Sequence, residues 1–239
     1  MRSLNGVIPT GCRGLDSLLS GGFKSRCLYL VYGEAETGKT TLAIQLAVNA
    51  AKMNFKSIYI DPESSFSTER LSQISGLDLN SISPLILILR PENFMRQGYL
   101  IDHLHEYLTD KVGLIVFDTI TSLYRVELGS RKETFTLNRE LNRQVAFISD
   151  TVKNSHATAL ITTQVRQPIS PNSVLGEVEP VATRVLSYWS DVIIRLKPSP
   201  RRGVVQAFVE KGFKDVTSNK LYLRICREGI LDFKDHSNE

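Results

Sequence analysis

The 239-residue sequence is poor in cysteine, tryptophan and histidine, with three, one and four residues respectively. Cys12, Cys27 and Cys226 are scattered, odd in number and without a C-x-x-C pair. That argues against a disulfide framework or a cysteine zinc cluster and implies a reducing, cytoplasmic setting. His103 and His105 lie two apart in IDHLHEYL. On a helix such residues do not share a face, so they read as surface side chains rather than metal ligands. Long apolar runs are missing too. The longest, LILIL over 85–89, is strand length, far short of the ~18 residues of a membrane span. The N-terminal MRSLNGVIPTG has no apolar signal core, so no membrane partner is expected. Nor is there a large excess of one charge. Against 25 Asp and Glu stand 29 Lys and Arg, a net +4, which mildly favours a polyanionic partner.

What is present is an alternation of strand-like and helix-like stretches. CLYLVYG (27–33), KSIYID (56–61), PLILIL (84–89), GLIVFD (113–118) and ATALITTQ (157–164) read as strands. Between them, helices are predicted over 40–53, 67–74, 94–108 and roughly 132–154, with Ser67 or Thr68 capping the second. This β-α order implies right-handed crossovers and a mostly parallel sheet covered on both faces. The pattern then breaks. Residues 165–184 carry three prolines and no clean period. DVIIRLK (191–197), VVQAFVEK (204–211) and KLYLRIC (220–226) follow, and read as antiparallel strands extending the sheet. The fold class expected is α/β, a twisted sheet flanked by helices with antiparallel strands at the C-terminal edge.

Residues 33–41, GEAETGKTT, satisfy G-x-x-x-x-G-K-T, the phosphate-loop pattern. Gly33 and Gly38 let successive N–H groups turn inward around phosphate oxygens. The loop follows a strand and opens a helix, whose dipole favours an anion. Glu34, Ala35, Glu36, Thr37 and Thr41 complete the nucleotide-binding stretch. Lys39 would neutralise phosphate charge and Thr40 would offer its hydroxyl to Mg²⁺. The predicted ligand is therefore ATP with Mg²⁺. Two glutamates in the loop add negative charge beside an anion site and point to weak nucleotide handling.

Acids close two of the strands. Asp118 ends LIVFD, where burial is costly unless a cation needs it. Beside a phosphate loop that cation is Mg²⁺, held through water; a helix cap leading into TITSLY is the plainer alternative. Asp61 and Glu63 end YIDPE. A carboxylate there can orient the attacking water, although Asp-Pro-x-Ser is equally good turn chemistry. Gln164 ends LITTQ and is either a γ-phosphate sensor or a strand-end amide bonded to local backbone.

Together, IPTGCRGLDSLLSGGF (8–23), GEAETGKTT, YIDPESSFSTERL (59–71), LIVFDTITSLYR (114–125), ALITTQV (159–165) and PVATRVLSYWSDVIIRL (180–196) resemble the RecA/RadA recombinase family. Within it they are most similar to the short archaeal paralogues of RadA, over roughly residues 8–232. The resemblance implies a RecA-like ATPase core as a single domain over 1–239, with Glu63 as catalytic glutamate and Gln164 as γ-phosphate sensor. It implies that Arg70 packs on adenine. It makes 128–135 and 165–187 two DNA loops, with Arg131, Lys132, Arg166 and Arg184 as phosphate contacts. Lys211 falls near a position that approaches a neighbouring subunit's ATP.

The departures carry weight as well. The core starts within ten residues, leaving no room for the family's N-terminal helical domain and docking linker. That argues against a long self-assembled filament, though not against a smaller homo-oligomer. Thr163 stands where members usually have Asn. Ala182-Thr183 stands where they usually have Gly-Gly, which should keep that segment out of left-handed backbone conformations. The expected function is an ATP-binding, DNA-binding accessory protein of recombination and repair. Its expected partners are DNA, a RadA-type recombinase and a Holliday-junction nuclease, and its ATPase is expected to be weak. Two alternatives stay open: a KaiC-like ATPase or autokinase, and a non-hydrolysing nucleotide-gated module.

Overall fold

The sheet is organised around LYLVYG, a strand buried along its whole length (β3, Leu28–Gly33). The computed structural model describes residues 6–128, 131–166, 179–180, 182–213 and 220–233. Ahead of β3 a small antiparallel ribbon pairs β1 (Val7–Ile8) with β2 (Phe23–Lys24), and α1 (Arg13–Leu18) lies between them. Its hydrogen bonds give Asp16, in RGLDSL, a structural role. Asp16 accepts from the Thr10 and Gly11 amides and the Thr10 hydroxyl. Asp232, at the far end of the chain, accepts from the Arg13 and Gly14 amides at 2.7 and 2.9 Å and so satisfies the start of α1.

After β3 come α2 (Lys39–Lys52), β4 (Lys56–Ile60), α3 (Thr68–Ser75), α4 (Leu79–Ile82) and β5 (Ile86–Leu89). Ser67 caps α3, its hydroxyl accepting from the Arg70 amide at 3.1 Å. Next are α5 (Phe94–Asp102), α6 (Leu104–Tyr107), β6 (Val112–Phe117), α7 (Ser122–Val126), α8 (Arg131–Lys153) and β7 (Thr158–Arg166). The helix expected over 94–108 is thus two helices that meet at His103. The C-terminal part holds β8 (Glu179–Pro180), α9 (Thr183–Trp189), β9 (Val192–Pro198), β10 (Val204–Lys211), β11 (Lys220–Cys226) and β12 (Gly229–Asp232).

The main sheet runs β12-β11-β10-β9-β3-β7-β6-β4-β5, with β8 against β7. One expectation needs correcting. The strand at 191–197 is not antiparallel to the core: β9 lies parallel to β3, and antiparallel pairing starts only between β9 and β10. The reason is α9, which the irregular composition of 165–184 hid. It supplies the crossover that a parallel neighbour requires. The sheet's two faces carry separate apolar clusters. One packs under α2 around Leu42, Leu46 and Tyr59, the other under α5 and α8 around Phe94, Leu141 and Val145. Gln45 staples α2 to both chain ends. Its amide donates to the Thr10 and Ile230 carbonyls and its carbonyl accepts from the Ile230 amide. Among the described residues no helix is long and apolar enough to cross a membrane.

Candidate nucleotide site

The carboxyl ends of β3, β4, β6 and β7 gather the loop and the polar residues that the sequence nominated, the edge where parallel α/β sheets take ligands. In the loop, both glycines are sterically required. A Cβ on Gly33 would lie 2.2 Å from the Leu196 carbonyl oxygen. Gly38 has φ +89°, and a Cβ there would meet Ile225 Cδ1 at 2.8 Å. The Thr37 hydroxyl donates to the Glu34 carbonyl at 2.8 Å and closes the turn. Ala35 and Glu36 are exposed, whereas Glu34, Thr40 and Thr41 are half-buried.

Lys39 is only 6% exposed. Its ammonium donates to the Gly33 and Glu34 carbonyls at 2.9 and 2.5 Å. Burial draws its pKa down to about 8, against the opposing charges of Asp118, Glu63 and Glu34. Among the described residues no carboxylate lies within ion-pairing distance of it. A desolvated cation facing only carbonyl dipoles is stabilised by an anionic oxygen, so a glycine-lined cradle with this lysine fits a phosphate group. Glu34 here also helps keep Lys39 protonated.

Asp118 is buried and accepts one hydrogen bond at each carboxylate oxygen. Tyr59 Oη donates to its Oδ2 at 2.8 Å and Thr162 Oγ1 to its Oδ1 at 2.6 Å. The Tyr59 phenol is held protonated, its pKa raised first by burial and then by the Asp118 charge. Each carboxylate oxygen keeps lone pairs for a further donor, so with the Thr40 hydroxyl the set suits Mg²⁺, which retains waters and takes few protein ligands. Tyr59 and Thr162 were not read from the sequence. Each points inward from its strand, and only the sheet order brings them to Asp118.

The two acids after β4 have different partners. Asp61 is the turn residue, buried, accepting from the Ser65 and Phe66 amides and pairing with Arg90 at 3.3 Å. Glu63 points the other way. It accepts from the Thr119 hydroxyl at 3.2 Å and from Arg125 Nη2 at 3.4 Å. The same guanidinium donates through Nη1 to Gln164 Oε1 at 3.0 Å. Arg125 therefore joins the candidate catalytic acid to the candidate sensor, a link no sequence spacing signals.

The Rad51 family profile matches residues 2–233. The chain belongs to the Rad51 family. The DNA repair and recombination protein RadB of Methanosphaera stadtmanae is 36% identical over 195 residues, 81% of this chain and 82% of the relative. The protein of the same name from Thermococcus gammatolerans is 32% identical over 232 residues, 96% of this chain and 100% of the relative. A crystal structure of the RadB recombinase superposes with a TM-score of 0.79 at 29% identity, covering 95% of this chain and 100% of that one. The architecture is accordingly RecA-like.

In this Rad51-family chain the remaining nominated residues are spread more widely. Arg70 sits on α3, where Nη1 and Nη2 donate to the carbonyls of Arg227 and Cys226 at 2.7 and 2.6 Å. The guanidinium is thereby fixed to the β11–β12 hairpin, whose strand residues Ile225 and Ile230 lie near Gly38. Arg184 is exposed on α9. Arg131 and Lys132 open α8 and Arg166 ends β7, but their side chains lie outside the described residues, as do 129–130 and 167–178. Lys211 donates to the carbonyls of Ser187 and Ser190 and caps the C-terminus of α9. The expectation for Ala182 is not met. Despite its Cβ it adopts φ +56° at the start of α9, so the backbone there keeps the left-handed geometry that glycine would take freely.

Proposed function

We propose that the chain is an ATP-binding and DNA-binding protein of DNA repair and homologous recombination, assisting or regulating a RadA-type recombinase. The observation that carries the nucleotide half is the buried Lys39 ammonium inside a loop that only glycines can form. In this reading the loop N–H groups from Glu34 to Lys39 hold the phosphates, with Thr40 and Thr41 at the helix start. Thr40 and, through water, Asp118 would hold Mg²⁺, which supplies charge neutralisation when bound. Glu63 orients the attacking water, Gln164 senses the γ-phosphate, and Arg70 offers its guanidinium plane to adenine. Glu63 is already engaged by Thr119 and Arg125, which supports slow hydrolysis; little strand exchange by this chain alone is part of the same reading and rests on the family resemblance. The DNA half rests on the family and on the names its relatives carry. Arg131, Lys132, Arg166 and Arg184 are the phosphate contacts of the reading. A Holliday-junction nuclease is a second protein partner of this reading, its setting is the cytoplasm, and Lys211 approaches a second subunit's nucleotide if the chain self-associates.

Single-turnover hydrolysis and equilibrium ATP binding test it on three proteins. Wild type binds Mg-ATP, Glu63→Gln binds but does not cleave, and Lys39→Ala does not bind. Binding by Lys39→Ala equal to wild type would overturn the site.

A further inference from the structure

A hollow of about 500 Å³ opens at the end of the sheet opposite the phosphate loop. It lies where β6 starts and where α8 ends, whereas the nucleotide residues stand at the other ends of the strands. Its lining mixes three kinds of side chain. Leu108 and Phe147 are apolar, the ring being 38% exposed. His105 and His156 are exposed imidazoles, and Asp110 and Asp150 are exposed carboxylates. Neither carboxylate makes an ion pair among the described residues. Asp150 accepts from the Asn154 side-chain amide at 3.1 Å, a neutral donor one turn on. Lys111 and Lys153 stand near these acids in sequence but do not line the hollow. The last turn of α8 adds the negative end of its dipole, which also favours a cation.

This lining selects its occupant by exclusion. Two unpaired carboxylates repel the phosphates of a nucleic acid. The volume is that of a pocket for an organic group rather than a bare ion. Among the described residues no group of three or more His, Cys, Asp or Glu is arranged to hold a metal. A negative site beside an open aromatic ring suits an organic cation with a flat face. A guanidinium meets both demands, because its plane stacks on a ring while its fork reaches a carboxylate. We propose that this hollow is a protein-docking site that takes an arginine, with aliphatic neighbours, from a basic segment of a partner protein. The guanidinium lies between Phe147 and Asp150, and Leu108 receives an aliphatic neighbour. Arginine is among the residues that most often anchor an interface. The site stands apart from the nucleotide and DNA reading and does not depend on it.

Fluorescence anisotropy on the full chain tests it with a labelled amphipathic peptide of leucine, alanine and arginine. The comparison peptides carry lysine or glutamate in place of arginine. Wild type should bind the arginine peptide, the lysine peptide more weakly and the glutamate peptide not at all. Asp150→Lys should lower the affinity for the arginine peptide roughly tenfold or more, since like charges then meet. Phe147→Ala should lower it roughly two- to five-fold through the lost ring contact. Asp150 is a surface residue, so Asp150→Lys should keep the wild-type circular dichroism spectrum and melting temperature. The proposal is overturned if wild type does not bind the arginine peptide, if the arginine and lysine peptides bind equally, or if either folded variant binds as wild type does. It is also overturned if wild type is a dimer in sedimentation velocity that Asp150→Lys dissolves, because the occupant is then a second copy of this chain.

Discussion

Raising the pH from 7 to 9 should weaken nucleotide binding through one group, Lys39. Its pKa is drawn down to about 8 because it is buried against carbonyls, and the ordinary value is 10.5. A bound phosphate restores the charge, so binding takes up a proton wherever free Lys39 is neutral. With the free pKa at 8, uptake is about 0.1 proton at pH 7, 0.5 at pH 8 and 0.9 at pH 9. Affinity should then fall about tenfold between pH 7 and pH 9. Calorimetric titration in buffers of different ionisation enthalpy at pH 8 reads the uptake directly. Lys39→Arg is the control, because a guanidinium stays charged throughout and should show no such slope. The same shift has a stability consequence. Between pH 8 and 10.5 the unfolded chain binds more protons than the folded one, so stability rises with pH across that window. The penalty relieved is on the order of 3 kcal/mol. Equal affinity at pH 7 and 9 in wild type, with no buffer-dependent heat, would refute the claim that a desolvated Lys39 meets the phosphate.

Thr162→Val removes the 2.6 Å hydrogen bond to buried Asp118. The cost should be about 1–3 kcal/mol, a fall in melting temperature of roughly 3–10 °C, while Thr162→Ser stays near wild type; scanning calorimetry decides. Ala182→Gly should leave the melting temperature unchanged or raise it slightly. A left-handed alanine costs roughly 1–2 kcal/mol, which outweighs the ~0.4–1 kcal/mol of extra unfolded-state entropy that glycine brings. A clear drop in the same measurement would show that φ +56° at this position carries little strain.

Much of this was legible in the sequence because local chemistry and tertiary role agreed. GEAETGKTT, between a buried strand and an amphipathic helix, admits few other structures, and the core strands announced themselves by unbroken apolar runs. Asp61 and Glu63 show where reading stopped. Two carboxylates two residues apart are indistinguishable by spacing, and only the turn decides which one serves the backbone. The parallel pairing of β9 was hidden because α9 is short and follows a proline-rich stretch. Tyr59, Thr162 and Arg125 were invisible for a different reason. Their partners lie 59, 44, 39 and 62 residues away, and contacts across neighbouring strands depend on sheet order, which no single-chain periodicity encodes.

An ATP-binding core that also grips a nucleic-acid backbone should bind DNA with a steep salt dependence. With Mg-ATP present, log affinity for a single strand is followed against log salt concentration. If Arg131, Lys132, Arg166 and Arg184 each neutralise a phosphate, the slope should be about −3, and replacing any one of them should make it shallower by about 0.7. A flat response, or a slope untouched by all four substitutions, would show that these residues do not contact nucleic-acid phosphates.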